Sequence, residues 1–282
     1  MSEERKKWPE QGQLRLAADR KTRGGAKGPS VGPAVAERQI PVFEDLPAFE
    51  EEDEVRGLPQ PVARVALDER SLPGEQFRLL GARLRAIGRD KRLRRIGVVS
   101  SALGEGKTTV SLGLARALAL DRQRRVLLLE LDLRRPAVDK ALGLQPPEVG
   151  LRQYLEGASD VPKLRRHGAS GFFVLSAGPG VMESPEILSS PRMNRLFEAA
   201  DRVFDCVIVD CPPLLPVADA VVIQDLLDGF VFVVRSRHSP RETIQQAVGL
   251  IKPGLVAGLV LNGQHDILPS YREYAYRRYG QA

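Results

Sequence analysis

Residues Ile96 to Ala119, IGVVSSALGEGKTTVSLGLARALA, constrain the fold of this chain more than any other stretch. Ile96 to Val99 form a short apolar run, bounded by arginines before it and by Ser100 and Ser101 after it, which predicts a buried strand. Gly104, Glu105 and Gly106 then open a turn. From Lys107 onward, Val110, Leu112, Leu114, Ala115, Ala117 and Leu118 recur at helical spacing, so a strand feeds a helix through a glycine loop. Unpaired amides at the helix start, reinforced by the helix dipole, favour an anion in that loop. The amides of Gly104, Glu105, Gly106, Lys107, Thr108 and Thr109 can cradle phosphates there, Lys107 can reach the terminal phosphates of a nucleotide, and the Thr108 hydroxyl can ligate Mg²⁺. Ser101 stands where the pattern GxxxxGK[ST] has its first glycine, while GEGKTT is intact.

Two further stretches belong to the same chemistry. In RVLLLELDLRRP, Arg125 to Pro136, the continuous run Val126 to Leu129 predicts a strand covered on both faces. It closes on Glu130 and Asp132, which strand alternation would place on one side. In FDCVIVDCPP, Phe204 to Pro213, the apolar Val207 to Val209 leads to Asp210 and then to a proline break. A hydrophobic strand ending on Asp is the form of a Walker B element, whose carboxylate holds a metal directly or through water. Phe230 to Val234 and Val256 to Leu261 read as strands, and helical patterns at Pro191 to Ala200, Asp219 to Leu227 and Arg241 to Ile251 fall between the later ones. Alternation of this kind predicts an α/β fold, a mainly parallel sheet of about seven strands with helices on both faces. Carboxylates at the strand ends of such a sheet lie where its ligand crevice forms.

The 282 residues suit one such domain plus tails, expected at 73–265. Residues 1–72 lack sustained periodicity and segregate charge, basic at Arg20 to Lys27 and acidic at Glu44 to Glu54, so this segment is expected to be a disordered tail. Gly74 to Arg85 nevertheless places Phe77, Leu80 and Leu84 on one helical face. The final segment, 266–282, carries Tyr271, Tyr274, Tyr276 and Tyr279 among arginines and has no core-forming pattern, which marks a flexible tail. The charged start is no signal peptide, and no apolar run is long enough to span a bilayer. Two cysteines, Cys206 and Cys211, fit a reducing compartment rather than a disulfide framework. A cytoplasmic protein is expected. The net charge of +6 permits nucleic-acid binding, but no aromatic residues interleave with the basic N-terminal stretch and no nucleic-acid partner is expected.

Together, GEGKTT, ELDLRRP and FDCVIVDCPP resemble the cytoplasmic P-loop domain of the bacterial tyrosine kinases of capsule and exopolysaccharide synthesis. GLRQYLEG at Gly150 to Gly157, AGPGVMESPEILSS at Ala177 to Ser190, PPLLPVADA at Pro212 to Ala220 and the tyrosine-rich end extend the likeness over residues 74–282. The resemblance implies a P-loop NTPase three-layer sandwich that binds ATP and Mg²⁺. It implies roles for Lys107 on the β- and γ-phosphates, for Thr108, Asp132 and Asp210 around the metal, and for Glu130 as acceptor of the incoming tyrosine proton, in a position where the family has aspartate. It also implies autophosphorylation at Tyr271, Tyr274, Tyr276 and Tyr279. The implied partners are a membrane-spanning polysaccharide co-polymerase or chain-length regulator, which would bring the protein to the inner membrane, and neighbouring kinase domains. For the latter, the family's ExxRxxR pattern meets Glu75, Arg78 and then Gly81. The implied function is a Mg²⁺/ATP-dependent protein-tyrosine autokinase regulating polymer assembly and export. Two other classes stand beside it: an ATP-binding regulator of the same machinery without efficient transfer, suggested by Glu130, and a ParA/MinD-type positioning ATPase, which resembles this chain less because Ala102 stands where those proteins carry an extra lysine.

Overall fold

The computed structural model describes residues 50–55, 59–90, 93–121, 124–160, 162–167, 171–181, 185–215 and 219–264, with the backbone alone at 50–55, 89 and 90. In chain order the elements are β1 (Glu50–Val55), α1 (Pro61–Leu67), α2 (Leu72–Asp90), β2 (Arg95–Ser100), α3 (Lys107–Ala119), β3 (Val126–Glu130), α4 (Val138–Leu142) and α5 (Leu151–Leu155). They continue with β4 (Lys163–His167), β5 (Phe172–Leu175), α6 (Pro185–Leu188), α7 (Pro191–Val203), β6 (Cys206–Asp210), α8 (Asp219–Val222), a 3₁₀ turn at Gln224–Leu226, β7 (Gly229–Arg235), α9 (Arg241–Gly249) and β8 (Val256–Asn262).

Among the described residues the sheet has eight strands in the order β1-β4-β5-β3-β6-β2-β7-β8. From β5 to β8 every neighbouring pair is parallel, β4 runs antiparallel to β5, and β1 is parallel to β4. The strands expected at Ile96, Val126, Val207, Phe230 and Val256 are the parallel centre and one edge. Their alternation sorts residues into two cores. Leu127, Leu129, Val207, Val209, Phe230 and Phe232 face α7, with Met193, Leu196 and Phe197, while Ile96, Val98, Leu128, Ile208, Val231 and Val233 face α3, with Val110, Leu112 and Leu114. Burial on both faces is why β3 reads as an unbroken apolar run, each of its leucines worth about 1.5–3 kcal/mol.

Within the segment 1–72, expected as a disordered tail, the structure has β1 and α1, while residues 1–49 and 56–58 lie outside the described residues. The acidic EEEDEV of β1 pairs with the basic KLRRH of β4, the register setting Glu50 opposite Lys163 and Glu52 opposite Arg165. Read alone, a run of acids looks solvated; its complement lies more than a hundred residues away. Helix α1 begins with proline at its first position and buries only Ala63 and Ala66, too small an apolar face to show as periodicity. On α2, Phe77, Leu80 and Leu84 face the α3 side of the sheet as expected. Glu75 and Arg78 pair with each other on its exposed side, whereas Gly81 is turned toward α3, where an added Cβ would lie 3.4 Å from Leu118 Cδ2. Among the described residues no helix is long and apolar enough to cross a membrane. Tyr271, Tyr274, Tyr276 and Tyr279 lie outside the described residues.

Because β2, β3, β6, β7 and β8 are parallel, their carboxyl ends share one edge of the sheet. In register, Asp210 stands beside Val98 and Glu130, and Arg235 beside Asn262. That edge gathers every strand-borne candidate residue.

Candidate nucleotide-binding site

The loop from β2 to α3 turns on Gly104 and Gly106, whose φ angles of 76° and 94° lie in the left-handed region open to glycine. A side chain at Gly106 would also displace the Asn262 amide, since a Cβ would lie 2.0 Å from its Nδ2. Three consecutive carbonyls of this loop are held from the β7–β8 side. Asn262 Nδ2 donates to Glu105 O at 2.8 Å and Arg235 Nη1 to Gly104 O at 3.0 Å. His238 Nε2, in the tautomer that carries its proton there, donates to Leu103 O at 2.9 Å. A trans peptide points its N–H opposite its C=O. The amides of Gly104, Glu105 and Gly106 are therefore turned away from the brace, which is the arrangement an anion requires. His238 is carried by a turn in which Arg237 takes a φ of 57°, the one non-glycine positive φ among the described residues.

The Glu105 side chain does not face a ligand. It is buried, and its Oε2 accepts from Ser101 Oγ and from the Ala102 amide, each at 2.8 Å, closing the loop on itself. Burial works to raise its pKa, but the Ala102 amide and the Ser101 hydroxyl lead the donors that outweigh it, and the net shift is downward. This explains a serine at the pattern's first position: Ser101 is a partner of Glu105.

Lys107 is only 7% exposed at the start of α3. Beside it Thr108 Oγ1 donates to Asp210 Oδ2 at 2.7 Å, and Ser111 Oγ donates to Asp210 Oδ1 at 3.1 Å. Burial pushes Asp210 up to about 6, against the Thr108 hydrogen bond and the Lys107 charge. Asp132 is less buried; burial raises its pKa too, opposed by the Arg135 amide, which donates to Oδ1 at 3.0 Å, and by the same Lys107 charge. The structure thus brings Lys107, Thr108, Asp132 and Asp210 together. Thr109 contributes its backbone to the helix start, while its side chain lines an apolar groove between α2 and β8.

Glu130 is placed differently from expectation. The strand β3 ends at this residue, so alternation does not carry through to Asp132. Fully buried, Glu130 accepts through Oε1 from the amides of Ala137 at 2.6 Å and Val138 at 2.7 Å, and through Oε2 from Ala177 at 3.0 Å. Burial pushes it up to about 7, these amides pull against that, and the Asp210 charge adds to it. The turn after Glu130 is anchored further by Val181 N donating to Leu133 O at 2.8 Å and by an ion pair of Arg134 with buried Asp219 at 3.2 Å. Cys206 and Cys211 are free and buried, and burial pushes the Cys206 thiol up to about 12, so neither is a reactive group.

Arg235, His238, Asn262 and Ser111 are the residues that sequence reasoning missed. Only Ser111 had a local signal, one helical turn after Thr108. No group of three or more His, Cys, Asp or Glu side chains forms a metal cage among the described residues. A hydroxyl hydrogen-bonded to one carboxylate, with a second carboxylate near the same lysine, instead fits Mg²⁺, which keeps waters and takes further oxygens from phosphates.

Residues 96–262 match the family described as the CobQ/CobB/MinD/ParA nucleotide binding domain. The chain is 32% identical over 217 residues to the tyrosine-protein kinase YwqD of Bacillus subtilis (strain 168), an alignment covering 75% of this chain and 90% of YwqD. It is 30% identical over 239 residues to the succinoglycan biosynthesis transport protein ExoP of Rhizobium meliloti (strain 1021), covering 79% of this chain and 30% of ExoP. Among solved structures, the kinase domain of the Escherichia coli tyrosine kinase ETK superposes with a TM-score of 0.67 at 27% identity, over 75% of this chain and 82% of that domain. With the glycine loop, Lys107 and the Thr108 to Asp210 pair in one place, the chain belongs to the bacterial tyrosine kinase family, built on the CobQ/CobB/MinD/ParA nucleotide-binding domain.

Proposed function

We propose that this chain is a Mg²⁺/ATP-dependent protein-tyrosine autokinase that regulates exopolysaccharide polymerisation and export together with a membrane-spanning partner, at the cytoplasmic face of the inner membrane. The observation that carries the reading is the hydrogen bond from Thr108 to Asp210 beside buried Lys107, set at the mouth of an amide cradle. Little covalent chemistry is asked of the protein in phosphoryl transfer, so positioning and charge neutralisation dominate. The amides of Gly104, Glu105 and Gly106 and the Lys107 ammonium hold the phosphate oxygens, and need no reorganisation because the brace has already oriented them. Thr108, Asp210 and Asp132 are the residues that would hold Mg²⁺, which when bound supplies charge neutralisation across the β- and γ-phosphates. Tyr271, Tyr274, Tyr276 and Tyr279 are the proposed acceptors, reached from a neighbouring copy through self-association. The likeness to ExoP, named for succinoglycan transport, supports the polysaccharide setting.

A second reading, a nucleotide-binding regulator that transfers no phosphoryl group, is favoured by the engagement of both Glu130 oxygens with backbone amides. One experiment separates the two. The purified full chain is incubated with ATP and Mg²⁺, with and without a cytoplasmic fragment of the partner, and probed for phosphotyrosine. The kinase reading expects phosphotyrosine that disappears in Lys107→Met and in a variant lacking the four tail tyrosines. Nucleotide binding without phosphotyrosine under either condition would leave the regulator.

A further inference from the structure

Glu130 occupies the end of the central strand next to Asp210, yet neither of its oxygens faces the cradle. One oxygen receives the two amides that begin α4, and the other receives the amide that follows β5. The turn from Leu131 to Ala137 leaves the sheet at Glu130 and returns to it at the same carboxylate, so a single side chain closes the turn and fastens it to the neighbouring strand. Asp132 is borne on that turn, its own Oδ1 holding the Arg135 amide at 3.0 Å. A proton acceptor has to come within hydrogen-bond reach of the hydroxyl it serves. Glu130, wholly buried, commits both of its oxygens to three backbone amides of the chain.

We infer that Glu130 is a positioning residue, a clasp that fixes the 131–137 turn and thereby sets Asp132 against Lys107 and the metal side of the cradle, and that it does not take the tyrosine proton. The inference explains the side chain's length. A carboxylate one methylene shorter would start from the same strand end with less reach toward amides on both α4 and the β5 exit, which the longer glutamate spans. The clasp itself stands on the geometry alone, while its consequence for transfer rests on the kinase reading.

The test compares the full chain with Glu130→Gln and Glu130→Ala. Two quantities are read: the rate of tyrosine phosphorylation at saturating ATP and Mg²⁺, with the KM for ATP, and the affinity for ADP with and without Mg²⁺. Glutamine cannot accept a proton in the way a base must, but its carbonyl oxygen can still take the Ala137 and Val138 amides. As a clasp, Glu130→Gln keeps the rate within about 10-fold of the parent, whereas loss of a general base costs about 10²–10⁴-fold. Glu130→Ala, which removes every acceptor, loses roughly 10–100-fold in the Mg²⁺-dependent part of ADP affinity and in rate, as groups that orient metal ligands do. Amide hydrogen exchange follows the same order, fast at Ala177 alone in the glutamine variant and fast at Ala137, Val138 and Ala177 in the alanine variant. A glutamine variant inactive by 10²-fold or more with unchanged Mg²⁺-ADP affinity would overturn the inference in favour of a base, and so would an alanine variant that binds Mg²⁺-ADP like the parent. Should the parent chain show no phosphotyrosine, the kinase reading fails by itself, and the ADP affinities still decide whether the clasp exists. If the alanine variant does not fold, the glutamine variant carries the decision.

Discussion

The two loops that meet at the site are held by opposite polarity. On the β7–β8 side, the phosphate loop is gripped by its carbonyls, through donors on Asn262, Arg235 and His238, which leaves its amides to face outward. On the β3–β5 side, the acid-bearing turn is closed at its end by the amides of Ala137 and Val138, through the Glu130 carboxylate, with Leu133 O held in addition by Val181 N, and Asp132 lies near Lys107. The difference follows from what each loop has to present. A loop meant for an anion must spend its carbonyls elsewhere, and a turn meant for a cation must satisfy its amides elsewhere. Backbone groups left buried without partners would cost about 1–3 kcal/mol each, so the braces also stabilise loops with little regular structure of their own.

The largest expected effect comes from removing the charge at the centre of the comparison. Lys107→Met should lower phosphotyrosine formation by at least about 10²–10³-fold and weaken ADP binding in parallel; transfer that survives the change would mean that the amides alone suffice. Next in size is the carbonyl brace. Asn262→Ala removes one hydrogen bond worth about 0.5–1.5 kcal/mol, so ADP affinity should fall roughly two- to tenfold while that for adenosine stays put. Loss of both affinities together would show that Asn262 serves the base or the fold instead of the phosphate loop.

Asp210 offers a subtler test, because in the proposed site a bound Mg²⁺ would stabilise its charged side chain. With burial holding Asp210 near 6 and Glu130 near 7, the folded nucleotide-free chain keeps protons that the unfolded chain releases. Stability therefore declines as pH rises through about 6 and about 7, and is recovered as pH falls toward the ordinary carboxylate range. Asp210→Asn should raise the melting temperature of the nucleotide-free protein by a few degrees at pH 8 while abolishing the gain that Mg²⁺-ADP gives the parent. A lower melting temperature at pH 8 would contradict the electrostatic account of that carboxylate. The smallest effect belongs to α2, where Glu75 and Arg78 form an exposed pair. Glu75→Ala should change stability by less than about 0.5 kcal/mol, so any change in sedimentation it causes reports on self-association and not on folding.

What was legible in the chain and what was not divides along the same line. The cradle, Lys107, Thr108 and the strands ending at Glu130 and Asp210 could be read because each is a short contiguous pattern, apolar run then turn then polar ligand. The braces could not, since Asn262, Arg235 and His238 come more than 130 residues after the carbonyls they hold. The surroundings of Glu130 were out of reach for a related reason: its identity as an acid at a strand end is local, but its partners Ala137, Val138 and Ala177 are backbone amides, which leave no mark on a sequence. Strands β1 and β4 escaped notice because they are rich in charge, and there strand patterning gives way to pairing with a distant complement, while β5 is apolar but only four residues long. The doubly covered strands, in contrast, had no freedom to be anything but apolar.

The most direct measurement is a calorimetric series on the full chain with adenosine, AMP, ADP and ATP, each with and without Mg²⁺. Affinity is expected to climb steeply when the β-phosphate is added and again when Mg²⁺ accompanies it, and the climb is expected to vanish in Lys107→Met. Equal affinity for AMP and ATP, or no Mg²⁺ dependence, would contradict a cradle made of loop amides, Lys107 and the Thr108 to Asp210 pair.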